Sequence, residues 1–389
     1  MGNTQFGVDW EQRIDFERLR EDRLQKTREG MIESCLEALL LFKPANIRYA
    51  AGAKGVESYW DISECCLIPL EDTPTVYLSA GIGLHAPWLE EHLRPARNLH
   101  GEGSEGDEIN LKFVSEIADL MPASKGRRLG VDILNVSLYR HLMQAGFEVL
   151  DAGPALTNAR MFKTPDEIAL LKVAAAMNDA GLHVSHETIR PGMREHEVSA
   201  SLIETLRRLG SDWNIRGVIC SGEHTSPQYK TVGGTDRIIQ PGDLVLVDSV
   251  HSYMSYWSDV ARTFLCGDRA TPVQKEIYQL CHEMLLSGAD LVKPGKMTAD
   301  VVTHWHDMQG KTSLHSVGVG HGIGTTLHEI PIVHGPSLES PTEFMPGMCV
   351  ALEVYTSKGH QGVRLEQNLI VTEEGYEIIS KLPFEEVLL

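Results

Sequence analysis

Two acidic pairs, each set across a segment predicted to form a β-hairpin, constrain this chain more than any other feature. Asp248 ends the apolar residues 244–247, and Asp259 stands just before the apolar residues 260–264. A hairpin centred on residues 253–254 would place the two carboxylates opposite each other on adjacent strands, about 5 Å apart. Carboxylates that close on an apolar sheet repel each other unless they share a proton or a cation.

The same arrangement recurs nearer the C-terminus. Glu353 and Glu366 each belong to an apolar run, and the turn-forming residues 357–362 lie between them. A hairpin centred near residues 359–360 again sets two carboxylates opposite each other. His321 lies between the two acidic pairs in a glycine-rich segment. Four carboxylates and one imidazole predict a site for two divalent metal ions, and donors of this kind favour manganese, iron, cobalt or zinc.

Each of these five residues also has a more ordinary interpretation. An Asp or Glu at the end of a strand is commonly a solvated cap, and an isolated histidine is commonly a hydrogen-bonded structural residue. The joint pattern favours the metal site, because both acidic pairs end apolar runs, both span a turn, and the histidine lies between them.

Length and composition limit the classes of protein to consider. A chain of 389 residues is long enough for two domains. Its formal net charge of −19 argues against nucleic acid and anionic membranes as partners, and no apolar run approaches the roughly 20 residues of a membrane span. Seven cysteines without a CxxC motif, and a start that lacks the features of a signal peptide, predict reduced thiols in the cytoplasm.

The order of predicted elements indicates an α/β N-terminal domain, residues 1–157, followed by an α+β domain, residues 158–389. In the first domain we expect one helix over residues 15–41, then a turn leading into a short strand at residues 43–52. Further strands are predicted at residues 76–78, 129–132 and 147–150. In the second domain Thr164 and the residues after it are typical of a helix start, and more helices are predicted at residues 195–209 and 272–292 and after Met297.

Residues 159–389 resemble the pita-bread family of creatinases, prolidases, aminopeptidases P and methionine aminopeptidases. The resemblance rests on motifs in order: Asp248 and Asp259, then Gly320-His321-Gly322-Ile323-Gly324, His328-Glu329-Ile330-Pro331, Glu353, and Gly362-Val363-Arg364-Leu365-Glu366. The segment Asn46-Ile47-Arg48-Tyr49-Ala50-Ala51-Gly52 resembles the creatinase-type N-terminal domain more weakly. The family implies a homodimer in which the N-terminal domain helps to close the partner's site.

The resemblance also implies a role for each site residue. Asp248 would bind one metal ion, Asp259 and Glu366 would bridge the two ions, and His321 would complete the shell of one. Glu353 would bind metal and pass protons. The two ions, manganese by preference, would activate a bridging hydroxide for attack on a peptide or amide carbonyl. His328 would donate to the developing oxyanion, and Arg364 would either steady the site or meet a substrate carboxylate; Arg262 is interpreted as structural.

Two positions depart from the family pattern. The prolidase-type enzymes carry a histidine in a loop ahead of the first Asp, and Gln228 stands where it is expected. Glutamine forms hydrogen bonds but exchanges no proton near neutral pH, so His224 is considered as a substitute reached by another path of the loop. The second departure is Gln367, where the family has Asp.

These departures leave three functions to separate. The preferred one is a Xaa-Pro dipeptidase or aminopeptidase, since all five ligands are present. The alternative is another enzyme on the same fold that acts on a small zwitterion, such as a dimethylsulfoniopropionate lyase, an ectoine hydrolase or a creatinase. The loop around Gln228 resembles the lyase branch, but that branch has an Asp base where this chain has His328. A binding module without catalysis is disfavoured because such relatives lose ligands.

Overall fold

The computed structural model describes residues 14–53, 64–78, 87–99, 103–121, 127–212, 216–227 and 233–389. These residues form two compact units: one is residues 15–160, and the other is residues 161–389 together with Ile14. The predicted boundary between residues 157 and 158 falls within the helix that ends the first unit. None of the helices in this part of the chain is both long and apolar enough to cross a membrane.

The first unit, residues 15–160, is built on a mixed six-stranded sheet. Its strands lie in the order β4-β3-β2-β1-β5-β6, with β3–β4, β1–β5 and β5–β6 parallel. In chain order the elements are α1 (Phe16–Glu33), β1 (Ala38–Leu41), α2 (Pro44–Ala51), β2 (Cys65–Pro69), β3 (Thr75–Leu78), β4 (Leu93–Pro95), α3 (Gly103–Leu120), β5 (Arg128–Val131), α4 (Val136–Gln144), β6 (Glu148–Asp151) and α5 (Gly153–Met161).

Two predictions for this unit are wrong. The helix predicted over residues 15–41 ends at Glu33, and Ala38–Leu41 is a strand. Its four residues are all buried in the middle of the sheet, and a short apolar run of this kind fits a buried strand as well as a helix. The turn and strand predicted at residues 43–52 are instead the helix α2, which begins with a proline and ends at Gly52 in the left-handed conformation.

The second unit, residues 161–389, contains two antiparallel sheets. One has the order β7-β8-β9 and the other the order β11-β10-β12-β13-β14. Its elements are α6 (Pro165–Thr188), α7 (Glu195–Arg208), β7 (Arg216–Ser221), β8 (Leu244–Tyr253), β9 (Tyr256–Leu265), α8 (Pro272–Ala289), α9 (Thr298–Gln309), β10 (His315–Gly322), β11 (Glu329–Val333), β12 (Cys349–Lys358), β13 (Gln361–Val371) and β14 (Tyr376–Ile378).

The packing of this unit brings the two predicted hairpins together. The helices α8 and α9 bury Met284, Leu285 and Trp305 against the apolar side chains of β12 and β13, and the strands β9 and β13 are joined by the side-chain bonds of Asn368 and Thr263. The helix α6 begins as predicted, because the Thr164 hydroxyl accepts from the Glu167 amide and the Glu167 carboxylate accepts from the Thr164 amide. The acidic pairs of the sequence therefore lie on strands that are neighbours in space.

Candidate metal centre

The first hairpin carries Asp248 and Asp259 on one face, but not directly opposite each other. Asp259 pairs with Val250, and Asp248 pairs with Ala261. The predicted register is therefore wrong by two residues, because the turn is formed by Met254 and Ser255, whose φ angles are +49° and +69°. Since side chains alternate with a period of two, a shift of two residues keeps both Asp on the same face, as diagonal neighbours.

The second hairpin is confirmed as predicted. Glu353 of β12 lies directly opposite Glu366 of β13, and the turn includes Gly359 with a φ of +61°. Glu366 is 1% exposed, and neither of its carboxylate oxygens accepts a hydrogen bond from the described residues. Buried oxygens in that condition are costly in a folded protein unless a proton or a cation binds them.

His321 of β10 presents a ring nitrogen to these acids. Its Nδ1 donates to the carbonyl oxygen of Gly322 at 3.0 Å, which leaves the lone pair on Nε2. That Nε2 lies 3.7 Å from Oδ2 of Asp259. Burial lowers the pKa of His321 to about 4, so the ring is neutral at pH 7 and offers Nε2 as a metal donor.

The donor atoms form two groups that share one residue. One carboxylate oxygen each from Asp248, Asp259 and Glu366 lie within 4.8 Å of one another, and so do donor atoms of Asp259, His321 and His328. The His321 and His328 rings meet edge to face, with centroids 4.3 Å apart. The structure therefore brings every predicted ligand except Glu353 into a group of close donor atoms, with Asp259 common to both groups.

The electrostatics of this cluster fit divalent cations. Burial, and then the charges of Asp248 and Glu353, raise the pKa of Asp259 well above its ordinary value. Burial and the charge of Asp259 do the same to Glu366. Four carboxylates thus crowd into one site, and a guanidinium forms ion pairs with two of them, Asp248 and Glu353. Oxygen and nitrogen donors with excess negative charge suit manganese, iron, cobalt or zinc.

The guanidinium belongs to Arg364, and its contacts agree with the first of its two predicted roles, which is to steady the site. Its Nη1 donates to Oδ2 of Asp248, and its Nη2 lies 2.9 Å from Oε1 of Glu353. Burial works to lower the pKa of Arg364, but the charges of Asp248 and Glu353 outweigh it and raise that pKa. Arg364 thus ties one carboxylate of each hairpin to a fixed place.

Asn368 is a site residue that the sequence analysis missed. Its Nδ2 donates to the carbonyl oxygen of Asp259 at 2.6 Å, and its Oδ1 accepts from the Asp259 amide at 3.2 Å and from the Ser258 hydroxyl at 2.9 Å. Asn368 lies two residues after Glu366 and so points to the same face of β13. The spacing of two residues from Glu366 was the signal in the sequence that could have indicated Asn368. Its partner Asp259 lies 109 residues away in the chain, so the sequence did not reveal the contact.

We expect Asn368→Ala to destabilise the protein by about 2–3 kcal/mol, because the Asp259 amide and carbonyl lose their buried partners. We also expect metal affinity to fall, since the backbone of Asp259 is then held less firmly. Urea unfolding and titration with Mn²⁺ would measure the two effects. The matched control is Asn158→Ala in the other unit, where the side chain is exposed at its bond to Glu33; equal losses in both variants would contradict a role for Asn368 at the site.

Arg262 and Gln367 lie behind the site. Arg262 is fully buried, and it donates to the Glu366 carbonyl oxygen at 2.7 Å and to Oε1 of Gln367 at 3.1 Å. Burial lowers the pKa of Arg262 to about 10, so it remains charged at pH 7. The structural interpretation of Arg262 agrees with these contacts. Gln367, the second departure from the family pattern, accepts a charge-assisted hydrogen bond from Arg262 with its neutral side-chain oxygen.

The loop departure is described only in part. Gln228 lies outside the described residues. His224 lies in the short 3-10 helix Gly222–Thr225, where its Nδ1 donates to the fully buried carboxylate of Glu195 at 3.1 Å. The neighbouring Thr225 accepts a bond from the hydroxyl of Tyr355, the residue opposite Arg364. The idea that His224 substitutes for the missing loop histidine stays a prediction.

Comparison with known proteins gives a consistent result. Residues 169–373 match the sequence profile of metallopeptidase family M24. The dimethylsulfoniopropionate lyase DddP of Roseovarius nubinhibens is 26% identical and covers 96% of this chain and 88% of its own. The Xaa-Pro dipeptidase of Pyrococcus furiosus is 26% identical and covers 93% of this chain and 98% of its own. Among solved structures, the Xaa-Pro dipeptidase from Bacillus anthracis is similar with a TM-score of 0.76 and 26% identity, covering 94% of this chain and 99% of that one.

Proposed function

Because the chain belongs to metallopeptidase family M24 and has the predicted α+β pita-bread fold, we propose that it hydrolyses the peptide bond of Xaa-Pro dipeptides with two divalent metal ions. The observation that carries the proposal is the pair of donor groups that overlap at Asp259. A Xaa-Pro dipeptidase that matches 93% of this chain supports the substrate class.

The residues that would hold the ions are Asp248, Asp259, His321, Glu353 and Glu366. When bound, two such ions supply Lewis acidity and lower the pKa of a water molecule to a value of about 7. The preferred metal is manganese, with cobalt, iron or zinc as alternatives. Their identity, the homodimer and the cytoplasmic location stay predictions.

The chain's own groups supply the rest of the chemistry. Glu353 is only half-buried, unlike Glu366 opposite it, so it is placed to carry a proton between water and the leaving amine. His328 is exposed beside His321, where an N–H would donate to the oxygen of the scissile carbonyl as charge develops there. Arg364 holds Asp248 and Glu353 in register during these steps.

The test is release of free proline from a panel of Xaa-Pro dipeptides by protein loaded with Mn²⁺ or Co²⁺, with metal content verified by elemental analysis. Xaa-Ala dipeptides measure specificity for proline. Turnover of Xaa-Pro substrates that requires the metal is expected. If the fully loaded protein releases no proline from any dipeptide, the proposal is wrong.

A second function is favoured by one observation: a dimethylsulfoniopropionate lyase covers 96% of this chain at the same identity as the dipeptidase. Against it stands His328, because the resemblance to the lyase branch implies an Asp base at that position. Incubation of the loaded protein with dimethylsulfoniopropionate, ectoine and creatine, followed by mass spectrometry of the products, separates the two. Turnover of a zwitterion without proline release would select the alternative.

A further inference from the structure

A buried ion pair lies beside the metal centre without contributing a metal ligand. Nζ of Lys163 is 3.0 Å from Oε2 of Glu329, and the two side chains are 1% and 3% exposed. Removing two charges from water costs several kcal/mol per ion, so a buried pair is weak evidence of added stability. Its place in the fold suggests a different role, because Glu329 directly follows His328.

The second oxygen of Glu329 holds the segment that joins the two histidines. Oε1 accepts a bond from the Thr326 amide at 3.0 Å and from the Thr326 hydroxyl at 3.2 Å. The segment also comes close to the carboxylate at Gly324, where a Cβ atom would lie 2.5 Å from Oε2 of Glu329. A residue larger than glycine would therefore displace either the segment or the carboxylate.

Trp257 holds the same segment from the first metal hairpin. Its amide donates to the carbonyl oxygen of Gly324 at 2.8 Å, and its Nε1 donates to the carbonyl oxygen of Thr325 at 3.1 Å. Trp257 is two residues before Asp259 on β9. Residues 324–326 are thus fixed between the strand that carries Asp259 and the carboxylate of Glu329.

His328 depends on this segment for its position. Its side chain is exposed, so packing restricts the imidazole less than it would restrict a buried ring. Its carbonyl oxygen accepts from the Thr326 hydroxyl at 3.1 Å. Lys163, the ion-pair partner of Glu329, is itself held in place. Its amide donates to the Gly347 carbonyl oxygen at 2.8 Å, and Thr164 next to it caps α6.

We propose that Lys163, Glu329 and Trp257 form a positioning clamp that fixes the backbone of residues 324–328 and so sets the imidazole of His328 against the metal centre. The predicted effect of the clamp on the reaction rate rests on the proposed hydrolysis of Xaa-Pro dipeptides. Its effect on the order of the segment does not depend on any substrate. Lys163 and Trp257 touch no reacting atom and act through His328.

The test uses Lys163→Met, Trp257→Phe and His328→Gln in the full chain loaded with Mn²⁺. Lys163→Met leaves Glu329 without its cation, and Trp257→Phe keeps a ring but loses the bond to Thr325. Each is expected to lower kcat about 10–100-fold while the metal content and KM stay unchanged, because a small misplacement of a catalytic group costs that much. The matched control is Lys172→Met, which removes the exposed ion pair with Glu377 in the same unit and leaves kcat unchanged.

A double-variant cycle separates positioning from general damage. In a His328→Gln background, Lys163→Met and Trp257→Phe are expected to lower kcat little further, since the group they position is gone. Independent, multiplying losses would overturn the clamp. Should Lys163→Met fail to fold, the cycle with Trp257→Phe carries the test.

Hydrogen exchange supplies a readout without substrate. In Lys163→Met the Thr326 amide is expected to exchange at least tenfold faster than in the wild type, while amides of β12 are unchanged. Unaltered exchange at Thr326 would overturn the clamp. If the wild type releases no proline but the Thr326 amide responds as expected, the proposed substrate is wrong and the structural part of the clamp stands.

Discussion

Asp259→Asn is expected to abolish metal binding and to lower kcat by about a thousandfold or more, since Asp259 belongs to both donor groups and two-metal activation contributes several kcal/mol to catalysis. Asn has the size of Asp, and the bonds of Asn368 to this residue involve only its backbone. The fold should therefore survive. Elemental analysis and proline release measure the two effects.

The same substitution has an opposite effect on the metal-free protein. Burial and the neighbouring acids raise the pKa of Asp259 in the folded state. A carboxyl whose folded pKa is raised binds its proton more tightly than in the unfolded chain, so stability falls as the pH rises above its ordinary pKa of about 4. Metal-free Asp259→Asn is thus expected to be more stable than metal-free wild type at pH 7, and equal to it near pH 4.

Mn²⁺ should reverse that order. Ligand at 100 times its dissociation constant stabilises the wild type by about 2.7 kcal/mol and leaves the variant unchanged. Urea unfolding of the wild type and the variant at pH 4 and pH 7, with and without Mn²⁺, measures the free energy of unfolding under each condition. Asp268→Asn, at an exposed residue after β9, is the control. An Asp259→Asn protein that gains as much stability from Mn²⁺ as the wild type would contradict a shared ligand at this position.

The sequence was sufficient to predict both hairpins and the register of the second, but not the register of the first. Acidic residues at the ends of apolar runs predicted both hairpins, and Glu353 and Glu366 lie opposite each other as expected. The first hairpin shifted by two residues because Met254 and Ser255 adopt positive φ angles without the Asn-Gly pattern that marks such turns. The two Asp side chains still lie on the same face of the hairpin, because a register shift of two residues preserves the face.

The supporting residues could not be predicted for a different reason. Glu329 is separated from Lys163 by 166 residues, and Asn368 from Asp259 by 109. Local periodicity carries no information on which distant side chain fills such a position. The same limit explains β1, where the run Ala38–Leu41 was assigned to a helix because only the tertiary sheet distinguishes the two conformations.

Arg364→Met is expected to destabilise the metal-free protein by about 3–5 kcal/mol, because Asp248 and Glu353 lose the buried cation that both of them contact. Methionine is apolar and of similar length to arginine, so the loss of stability reports the missing charge more than a change in volume. Arg364→Lys keeps the charge, but its ammonium group cannot contact two carboxylates in the fixed geometry of a guanidinium. The stability of this variant should lie between those of the wild type and Arg364→Met. Arg269→Met, at an exposed residue, is the control.

Saturating Mn²⁺ should restore most of the stability lost in Arg364→Met, since the ions replace the positive charge that the acids lack. Activity should stay about a hundredfold low even then, because Asp248 and Glu353 have lost the group that fixes their orientation. The second predicted role, contact with a substrate carboxylate, is separated by comparing Xaa-Pro with Xaa-Pro-amide: a KM rise in Arg364→Met confined to the free acid would support that contact. A loss of stability that Mn²⁺ leaves untouched would contradict the view that Arg364 balances the charge of the metal ligands, and would make it a packing residue instead.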